Sequence, residues 1–246
     1  MEAAAAVDIL AFGAHPDDVE LAASGTLIKA ARAGARTGVI SLTRGEMGTR
    51  GTPEARAAEF AAAAEVMGLC HHEMLSLPDG RLHDDEPSRE AVIREIREHR
   101  PRIVLLPHWE DRHPDHPATS RIVESAAFLA GLAKRDTGQA THRPAALLFY
   151  MSTWEFEPSF VVDVSDVIEE KQRALDAYRT QVYQKSAAGV SSEPPTFIAS
   201  EHFRELILSR MAHYGHLIGK KYGEPFMVRG TLEVTDLLQA FGNRTF

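Results

Sequence analysis

Two short segments of the chain concentrate the residue types that bind metal ions and move protons. Residues 14–18 read AHPDD, and residues 113–116 read HPDH. Two imidazoles and one carboxylate form a common catalytic zinc site, which leaves one coordination position for water. Such an ion lowers the pKa of water toward about 7 and polarises a carbonyl group, while a spare carboxylate can serve as general base. The candidate residues for this chemistry are His15, Asp17, Asp18, His113, Asp115 and His116.

Other kinds of site fit the same residues less well. Cys70 is the only cysteine, which excludes a thiolate-rich structural zinc site. Two histidines and one carboxylate also bind iron(II) in oxygenases, so iron(II) is an alternative ion. A nicotinamide-dependent dehydrogenase is disfavoured because AHPDD stands in place of a G-x-G-x-x-G turn. A His-Pro-Asp segment can also be a plain turn in which Asp18 caps the next helix, but two such segments together favour a site.

The elements that must position these segments alternate between strands and helices. The strands are near-continuous apolar runs, which is typical of a parallel sheet covered by helices on both faces. The pattern therefore predicts an α/β fold: Rossmann-like, doubly wound, with a mostly parallel sheet. The predicted strands are 7–14, 37–42, 74–77 and 103–107, and the predicted helices are 19–33, 52–67, 88–100 and 117–132.

The two polar segments directly follow the first and the fourth of these strands. In open α/β sheets, ligands bind beyond the carboxyl ends of the strands, where the strand order reverses. In the common order 3-2-1-4, strands one and four are neighbours at that point. We therefore expect the two segments to meet there, although they are far apart along the chain.

The last third of the chain is less regular. We predict one domain over residues 1–246, with a regular βα core over 1–135 and a C-terminal part, 136–246, that completes the sheet and the pocket. Within this second part we predict strands at 145–151 and 160–164, helices at 167–178 and 201–218, and a loop at 186–195.

Composition narrows the class of partner. The chain has 246 residues and a formal net charge of −8, which gives it no overall attraction for nucleic acid. No apolar run has the roughly 20 residues needed to cross a membrane, and the N-terminus lacks the basic start of a secretory signal. With a single cysteine, these features lead us to expect a cytoplasmic protein with a small-molecule substrate and no membrane partner.

AHPDD after the first strand and HPDH after a later one resemble the LmbE-like, or PIG-L, family of zinc-dependent N-acetylglucosamine deacetylases. Further segments are similar to the subgroup that makes bacillithiol, which deacetylates N-acetylglucosaminyl malate. The resemblance implies a hydrolase that releases acetate and a free amine from that substrate. The alternatives are another N-acetylated glycoconjugate, a chitin fragment, or a non-enzymatic module that binds a sugar or nucleotide. The supporting segments are 43–56 (TRGEMGTRGTPEAR), 77–82 (LPDGRL), 177–181 (AYRTQ) and 222–226 (YGEPF).

The resemblance also implies a role for each motif residue. Asp17 would be the general base, and His113 would stabilise the oxyanion and, when protonated, donate to the leaving amine. Asp115 would orient His113 and tune its charge. Some relatives that act on mycothiol precursors carry a tyrosine where this chain has Asp111, which puts a tyrosine-assisted step in doubt. The family is also expected to form homo-oligomers, with a hexamer as one form. The implied Zn²⁺ ligands are His15, Asp18 and His116.

Several polar residues near the predicted cavity are candidates for substrate recognition. Arg56 matches a family position that contacts substrate. The two carboxylates of malate would suit arginine side chains, which pair with carboxylates in a bidentate manner. Surface arginines are also common without any ligand. Glu46 and Asp79 could accept hydrogen bonds from sugar hydroxyls. The other arginines predicted to bind substrate are Arg44, Arg50 and Arg112.

Two further pairs of histidines carry a weaker signal. His71 and His72 are adjacent, so their side chains would point to opposite faces of a strand, and we interpret them as surface or core residues. His213 and His216 are three residues apart on a predicted helix, which is a possible metal spacing. No third ligand is evident there, and a packed or exposed helix face is the expected role.

Overall fold

A computed structural model describes residues 6–182, 194, 196–200 and 202–242. In these residues, seven strands form one sheet in the order β3-β2-β1-β4-β5-β7-β6. The elements are β1 (Ile9–Gly13), α1 (Asp18–Arg32), β2 (Thr37–Ser41), α2 (Pro53–Met67), β3 (His71–Met74), α3 (Glu86–His99), β4 (Ile103–Pro107), α4 (Asp115–Ala130), β5 (Ala146–Tyr150), β6 (Phe160–Asp163), a 3-10 turn (Ser165–Val167), α5 (Ile168–Asp176), α6 (Phe203–His216), β7 (Gly223–Met227) and α7 (Leu237–Phe241).

The sheet is mostly parallel, as the sequence predicts. Strands β1 to β5 are parallel to one another, while β7 runs antiparallel to both β5 and β6. Two hydrophobic cores form, one on each face of the sheet. One core contains buried residues of α1, α2, α5 and α6, and the other those of α3 and α4. Ala11 of β1 belongs to the first core, and its neighbours Leu10 and Phe12 belong to the second, because successive side chains alternate across a strand. The doubly wound α/β fold is confirmed.

Local sequence signals set the ends of the helices. The side chain of Thr52 accepts a hydrogen bond from the backbone of Ala55, Pro53 occupies the first turn, and Gly68 ends α2 in the left-handed conformation. Helix α3 begins at Glu86, earlier than the predicted residue 88, because Asp85 caps it through the backbone N–H of Ser88. These caps fix where each helix leaves the sheet and where the loops around the cavity begin.

Two predictions about strands were wrong. The third strand is His71–Met74, not 74–77, because its pairing with β2 starts at Gly38 opposite His71. Strand β7 was not predicted, since Gly223 and Pro225 lower its strand propensity, yet it lies between β5 and β6.

The loop predicted at 186–195 lies outside the described residues except for residue 194. Among the described helices, none is both long enough and apolar enough to cross a bilayer.

Candidate active site

The AHPDD and HPDH segments lie side by side at the carboxyl ends of two neighbouring strands. Strands β1 and β4 pair in parallel, with Ile9 opposite Ile103. Beyond their ends, the ring centroids of His15 and His113 are 4.7 Å apart, those of His15 and His116 5.7 Å, and those of His113 and His116 5.1 Å. One nitrogen from each ring lies within 4.8 Å of the others. This spacing is within the range that one metal ion can bridge after small side-chain adjustments.

The carboxylate of Asp18 lies between two of these rings. Its Oδ2 is 3.4 Å from Nδ1 of His15, and its Oδ1 is 3.2 Å from Nε2 of His116. Asp18 is the first residue of α1, and its carboxylate also accepts a hydrogen bond from the backbone N–H of His15. The alternative in which Asp18 is a helix N-cap is therefore wrong: Asp17 holds that position and makes no side-chain cap. Burial alone would raise the pKa of Asp18, but His116 and His15 hold it well below its usual range.

The outward nitrogens of both imidazoles are held by other carboxylates. Nε2 of His15 lies 3.0 Å from Asp79 and 3.3 Å from Asp115, and Nδ1 of His116 lies 2.9 Å from Asp111. Carboxylates behind metal-binding histidines fix the tautomer and the ring orientation. Each ring therefore directs one nitrogen toward Asp18 and anchors the other.

The electrostatics of this cluster favour a cation between the two rings. Burial lowers the pKa of His116, but Asp18 and Asp111 outweigh it and raise the value to about 9. The pKa of His15 is likewise well above its ordinary value, because Asp18, Asp115 and Asp79 offset the effect of burial. These histidines therefore hold protons tightly in the absence of an ion. A divalent cation at the same place would satisfy the same carboxylates. His15 Nδ1, Asp18 and His116 Nε2 are the atoms that could hold it.

Asp17 is a buried acid beside this cluster. Burial raises its pKa to about 6, although the guanidinium of Arg56 opposes the shift. Nη2 of Arg56 lies 3.4 Å from the Asp17 carboxylate and donates to the carbonyl of Pro16 at 2.7 Å. The φ of Asp17 is 114°, a backbone conformation that costs a non-glycine residue about 1–3 kcal/mol. The fold thus holds the desolvated carboxyl group of Asp17 at the cavity on a strained backbone.

His113 and Asp115 do not make the contact that we expected. The carboxylate of Asp115 accepts hydrogen bonds from the backbone of Gly80 at 2.7 Å and of Leu82 at 3.3 Å, and it faces His15. The Asp115 carboxylate therefore supports the His15 ring and does not orient His113, although its negative charge acts to raise the pKa of His113, in line with the expected charge tuning. Nδ1 of His113 instead accepts a hydrogen bond from the backbone N–H of Asp115, which leaves Nε2 as the donor of the neutral ring. Burial and the nearby His15 lower the pKa of His113.

A cavity of about 480 Å³ opens in front of these groups. Its volume lies within the range of small-molecule sites. Three of the residues predicted to bind substrate line it, namely Arg56, Asp79 and Arg112. Asp79 contacts His15 with one oxygen and accepts from the backbone of Met47 with the other, so its carboxylate serves the site's own structure. The guanidinium of Arg112 lies 5.6 Å from the ring centroid of Phe197 at the same cavity.

The other three residues predicted to bind substrate do not line the cavity. Glu46 accepts a hydrogen bond from the backbone of Asp79 and so braces the loop that carries this residue. Arg50 donates to the carbonyl of Thr180 at 2.8 Å and ties its own loop to the chain beyond α5. Arg44 is exposed. Substrate contact by Glu46, Arg44 and Arg50 stays a prediction, because these side chains do not line the cavity formed by the described residues.

Asp111 is the residue of this site that the sequence reasoning missed. Its Oδ2 accepts hydrogen bonds from the backbone of Thr153 at 2.7 Å and of Trp154 at 3.2 Å, while its Oδ1 contacts His116. Burial would raise its pKa, but His116 and these backbone donors hold it far below the usual range. An aspartate five residues before a candidate ligand histidine was the available signal, because ligand histidines commonly need a carboxylate behind them.

Sequence comparison matches this chain to proteins named as deacetylases. The family model described as "PIG-L: GlcNAc-PI de-N-acetylase" matches residues 10–127. Diacetylchitobiose deacetylase of Thermococcus kodakarensis is 28% identical over 231 residues, which cover 88% of this chain and 80% of that protein. The probable N-acetyl-alpha-D-glucosaminyl L-malate deacetylase 2 of Bacillus cereus is 30% identical over 186 residues, which cover 68% of this chain and 80% of that protein.

Solved structures share the fold of this chain. The conserved protein TT1542 from Thermus thermophilus superimposes with a TM-score of 0.83 at 37% identity, covering 93% of this chain and 98% of that one. GalB, a 4-carboxy-2-hydroxymuconate hydratase from Pseudomonas putida, shares the fold with a TM-score of 0.77 at 20% identity, covering 94% of this chain and 99% of that one. With its relatives matched along most of their length and its two polar segments meeting at one sheet edge, this chain belongs to the PIG-L, or LmbE-like, deacetylase family.

Proposed function

We propose that this protein is a metal-dependent hydrolase that removes the acetyl group from an N-acetylglucosamine conjugate. The observation that carries the proposal is the carboxylate of Asp18 shared between His15 and His116, with the buried acid Asp17 beside it at a cavity. The matched relatives named as deacetylases support the same reaction class.

The donor set fits zinc, with iron(II) as the alternative ion. His15, Asp18 and His116 would supply two nitrogens and one carboxylate, and Asp79, Asp115 and Asp111 would fix the two rings from behind. When bound, zinc supplies a Lewis acid for the acetamide oxygen and lowers the pKa of water.

The chain's own side chains would then carry the proton transfers. Asp17 would accept a proton from the water that attacks the carbonyl carbon of the acetamide, because its carboxyl group is buried at the cavity and fixed by Arg56. Nε2 of His113 would donate a hydrogen bond to the oxygen that gains negative charge. The proton accepted by Asp17 would then pass to the amide nitrogen, directly or through His113, so that the C–N bond breaks and acetate and the free amine leave.

For the substrate we propose N-acetylglucosaminyl malate, with a chitin fragment as the alternative. Arg112 is the argument for malate, because its side chain lines the cavity and its guanidinium carbon lies 5.6 Å from the ring centroid of Phe197. A guanidinium in this position could pair with a carboxylate of malate. Arg56 is less available, since its two Nη atoms contact Gly45, Pro16 and Asp17, while its buried Nε makes no hydrogen bond among the described residues.

A substrate panel with Arg112→Ala tests this choice. We expect the substitution to lower kcat/KM for N-acetylglucosaminyl malate by about tenfold or more, as for the loss of a charged hydrogen bond, and to leave N,N'-diacetylchitobiose nearly unchanged. Arg44→Ala is the matched control, because Arg44 is exposed and does not line the cavity. Equal loss on both substrates, or equal wild-type efficiency on malate conjugate and plain N-acetylglucosamine, would contradict the malate proposal.

The hydratase GalB is the reason to measure products directly. GalB shares only the fold with this chain, and one fold can host different reactions. A hydration reaction is therefore a second candidate. Hydration adds water across a double bond and liberates neither acetate nor an amine. Release of both products in equal amounts would therefore separate the deacetylase from a hydratase and from a binding module without activity.

A further inference from the structure

A second cluster of histidines and glutamates lies at the opposite end of the sheet from the cavity. His71 and Glu73 belong to the edge strand β3, and Glu95 and His99 belong to the last turns of α3. His71 pairs with the first part of β2, and the carbonyl of His99 accepts a hydrogen bond from Val7 ahead of β1. The cluster is therefore at the amino ends of the strands, whereas the candidate active site is at their carboxyl ends.

Three of these side chains converge closely, and Glu73 lies beside His71. One ligand atom from each of His71, Glu95 and His99 lies within 4.8 Å of the others. Nε2 of His99 is 3.3 Å from a carboxylate oxygen of Glu95, and Nε2 of His71 is 3.7 Å from one of Glu73. The rings of His71 and His99 are tilted against each other, with centroids 3.9 Å apart and an interplanar angle of 35°. Glu95 and His99 are four residues apart, so they share one face of the helix.

One atom of the cluster lacks a partner. Nε2 of His71 is buried and makes no hydrogen bond among the described residues. A buried polar atom without a partner costs about 1–3 kcal/mol, so native structures rarely keep one without a ligand or water.

We propose that His71, Glu95 and His99, with Glu73 as a fourth ligand, bind a divalent transition-metal ion at a structural site separate from the active site. Two imidazoles favour zinc over magnesium or calcium, which prefer oxygen ligands. A tetrahedral zinc with bonds of about 2.0–2.2 Å brings its ligand atoms to about 3.4 Å from one another. Rotations about side-chain bonds can bring the four groups to that spacing, because both glutamates are long and partly exposed.

The bound ion would join the edge strand to the adjacent helix. β3 has only one neighbour in the sheet, β2, so its outer edge depends on other contacts. An ion shared by His71 of β3 and His99 of α3 adds such a contact. Because metal that binds only the folded chain stabilises it by mass action, zinc should raise the melting temperature through this site.

Counting bound zinc tests the proposal. After chelation and equilibration with Zn²⁺ followed by gel filtration, the wild-type chain should retain two equivalents. The double variant His71→Ala/His99→Ala should retain one, His15→Ala/His116→Ala should retain one, and the quadruple variant should retain none. His213→Ala/His216→Ala is the matched control, since it removes a histidine pair from α6 and should retain two. Equal zinc retention by His71→Ala/His99→Ala and the wild type, or no retained zinc in His15→Ala/His116→Ala, would overturn the proposal.

A second measurement separates loss of the site from loss of the fold. In the His15→Ala/His116→Ala background, added Zn²⁺ should raise the melting temperature, and Glu95→Gln should reduce this shift while leaving the metal-free melting temperature nearly the same. An identical zinc-dependent shift with and without Glu95→Gln would show that the ion does not bind at this cluster. Neither readout depends on deacetylase activity, so the result stands apart from the proposed function.

Discussion

At the scale of single residues, carboxylates outnumber histidines around the candidate metal. Asp18 faces both imidazoles, while Asp79, Asp115 and Asp111 hold their outer nitrogens. The negative charge of this cluster makes a bound proton or cation favourable, which is seen in the raised pKa of His116. The affinity for metal should therefore depend on residues that do not touch the ion.

Asp111→Asn tests this dependence. The amide can still accept the backbone N–H of Thr153, but it carries no charge to support the His116 ring. We expect the zinc concentration that restores half of the activity to rise about 10–100-fold, in line with other losses of a carboxylate behind a ligand histidine. Glu110→Gln is the neighbouring control, because Glu110 is exposed. Unchanged zinc dependence in Asp111→Asn would show that the ring is held by other contacts.

At the scale of elements, the C-terminal part of the chain holds α1 in place through a buried ion pair. Nζ of Lys171 on α5 is 2.9 Å from Glu224 on β7 and donates to the carbonyls of Glu20 and Leu21. Glu224 in turn accepts hydrogen bonds from the backbone of Gly25 within the same helix. Because α1 begins with Asp18, this pair fixes the helix that presents the candidate ligand.

Lys171→Met alone should lower the free energy of unfolding more than Lys171→Met combined with Glu224→Gln. Removing one partner of a buried pair leaves the carboxylate of Glu224 uncompensated, which costs about 3–5 kcal/mol of unfolding free energy. The double variant Lys171→Met/Glu224→Gln removes both charges of the pair and should lose less free energy of unfolding than Lys171→Met. Urea denaturation of the metal-free proteins measures both. A double variant less stable than Lys171→Met would contradict this account of the pair.

Whether an element depends on local or distant contacts decides whether it could be predicted from the sequence. The βα core was predictable because continuous apolar strands, Thr52 at a helix start and Gly68 at a helix end act locally. β7 and the Lys171–Glu224 pair could not be predicted, since β7 pairs with the distant strands β5 and β6, and Lys171 and Glu224 are 53 positions apart. The targets of Asp115 and the direction of Arg50 were missed for the same reason: loop side chains are placed by tertiary contacts.

At the scale of the whole molecule, the strand order brings the AHPDD and HPDH segments together at the carboxyl ends of the strands. The second histidine cluster lies at the amino ends. The expected homo-oligomer stays a prediction that light scattering can measure. Several apolar side chains near the C-terminus, including Leu237 and Leu238, are 70% and 80% exposed, and burial between copies is one way to cover them. Replacing both with lysine should then reduce the measured mass of the assembly.

The most direct test of the central claim is a product assay on the wild type and Asp17→Asn with defined metal. The zinc-loaded wild type should release acetate and free amine in equal amounts from an N-acetylglucosamine conjugate, and the chelated protein should release neither. Asp17→Asn should keep its zinc and lose activity by about 10²–10⁴-fold, the usual contribution of a general base. Full turnover by Asp17→Asn, or by the chelated wild type, would contradict the account.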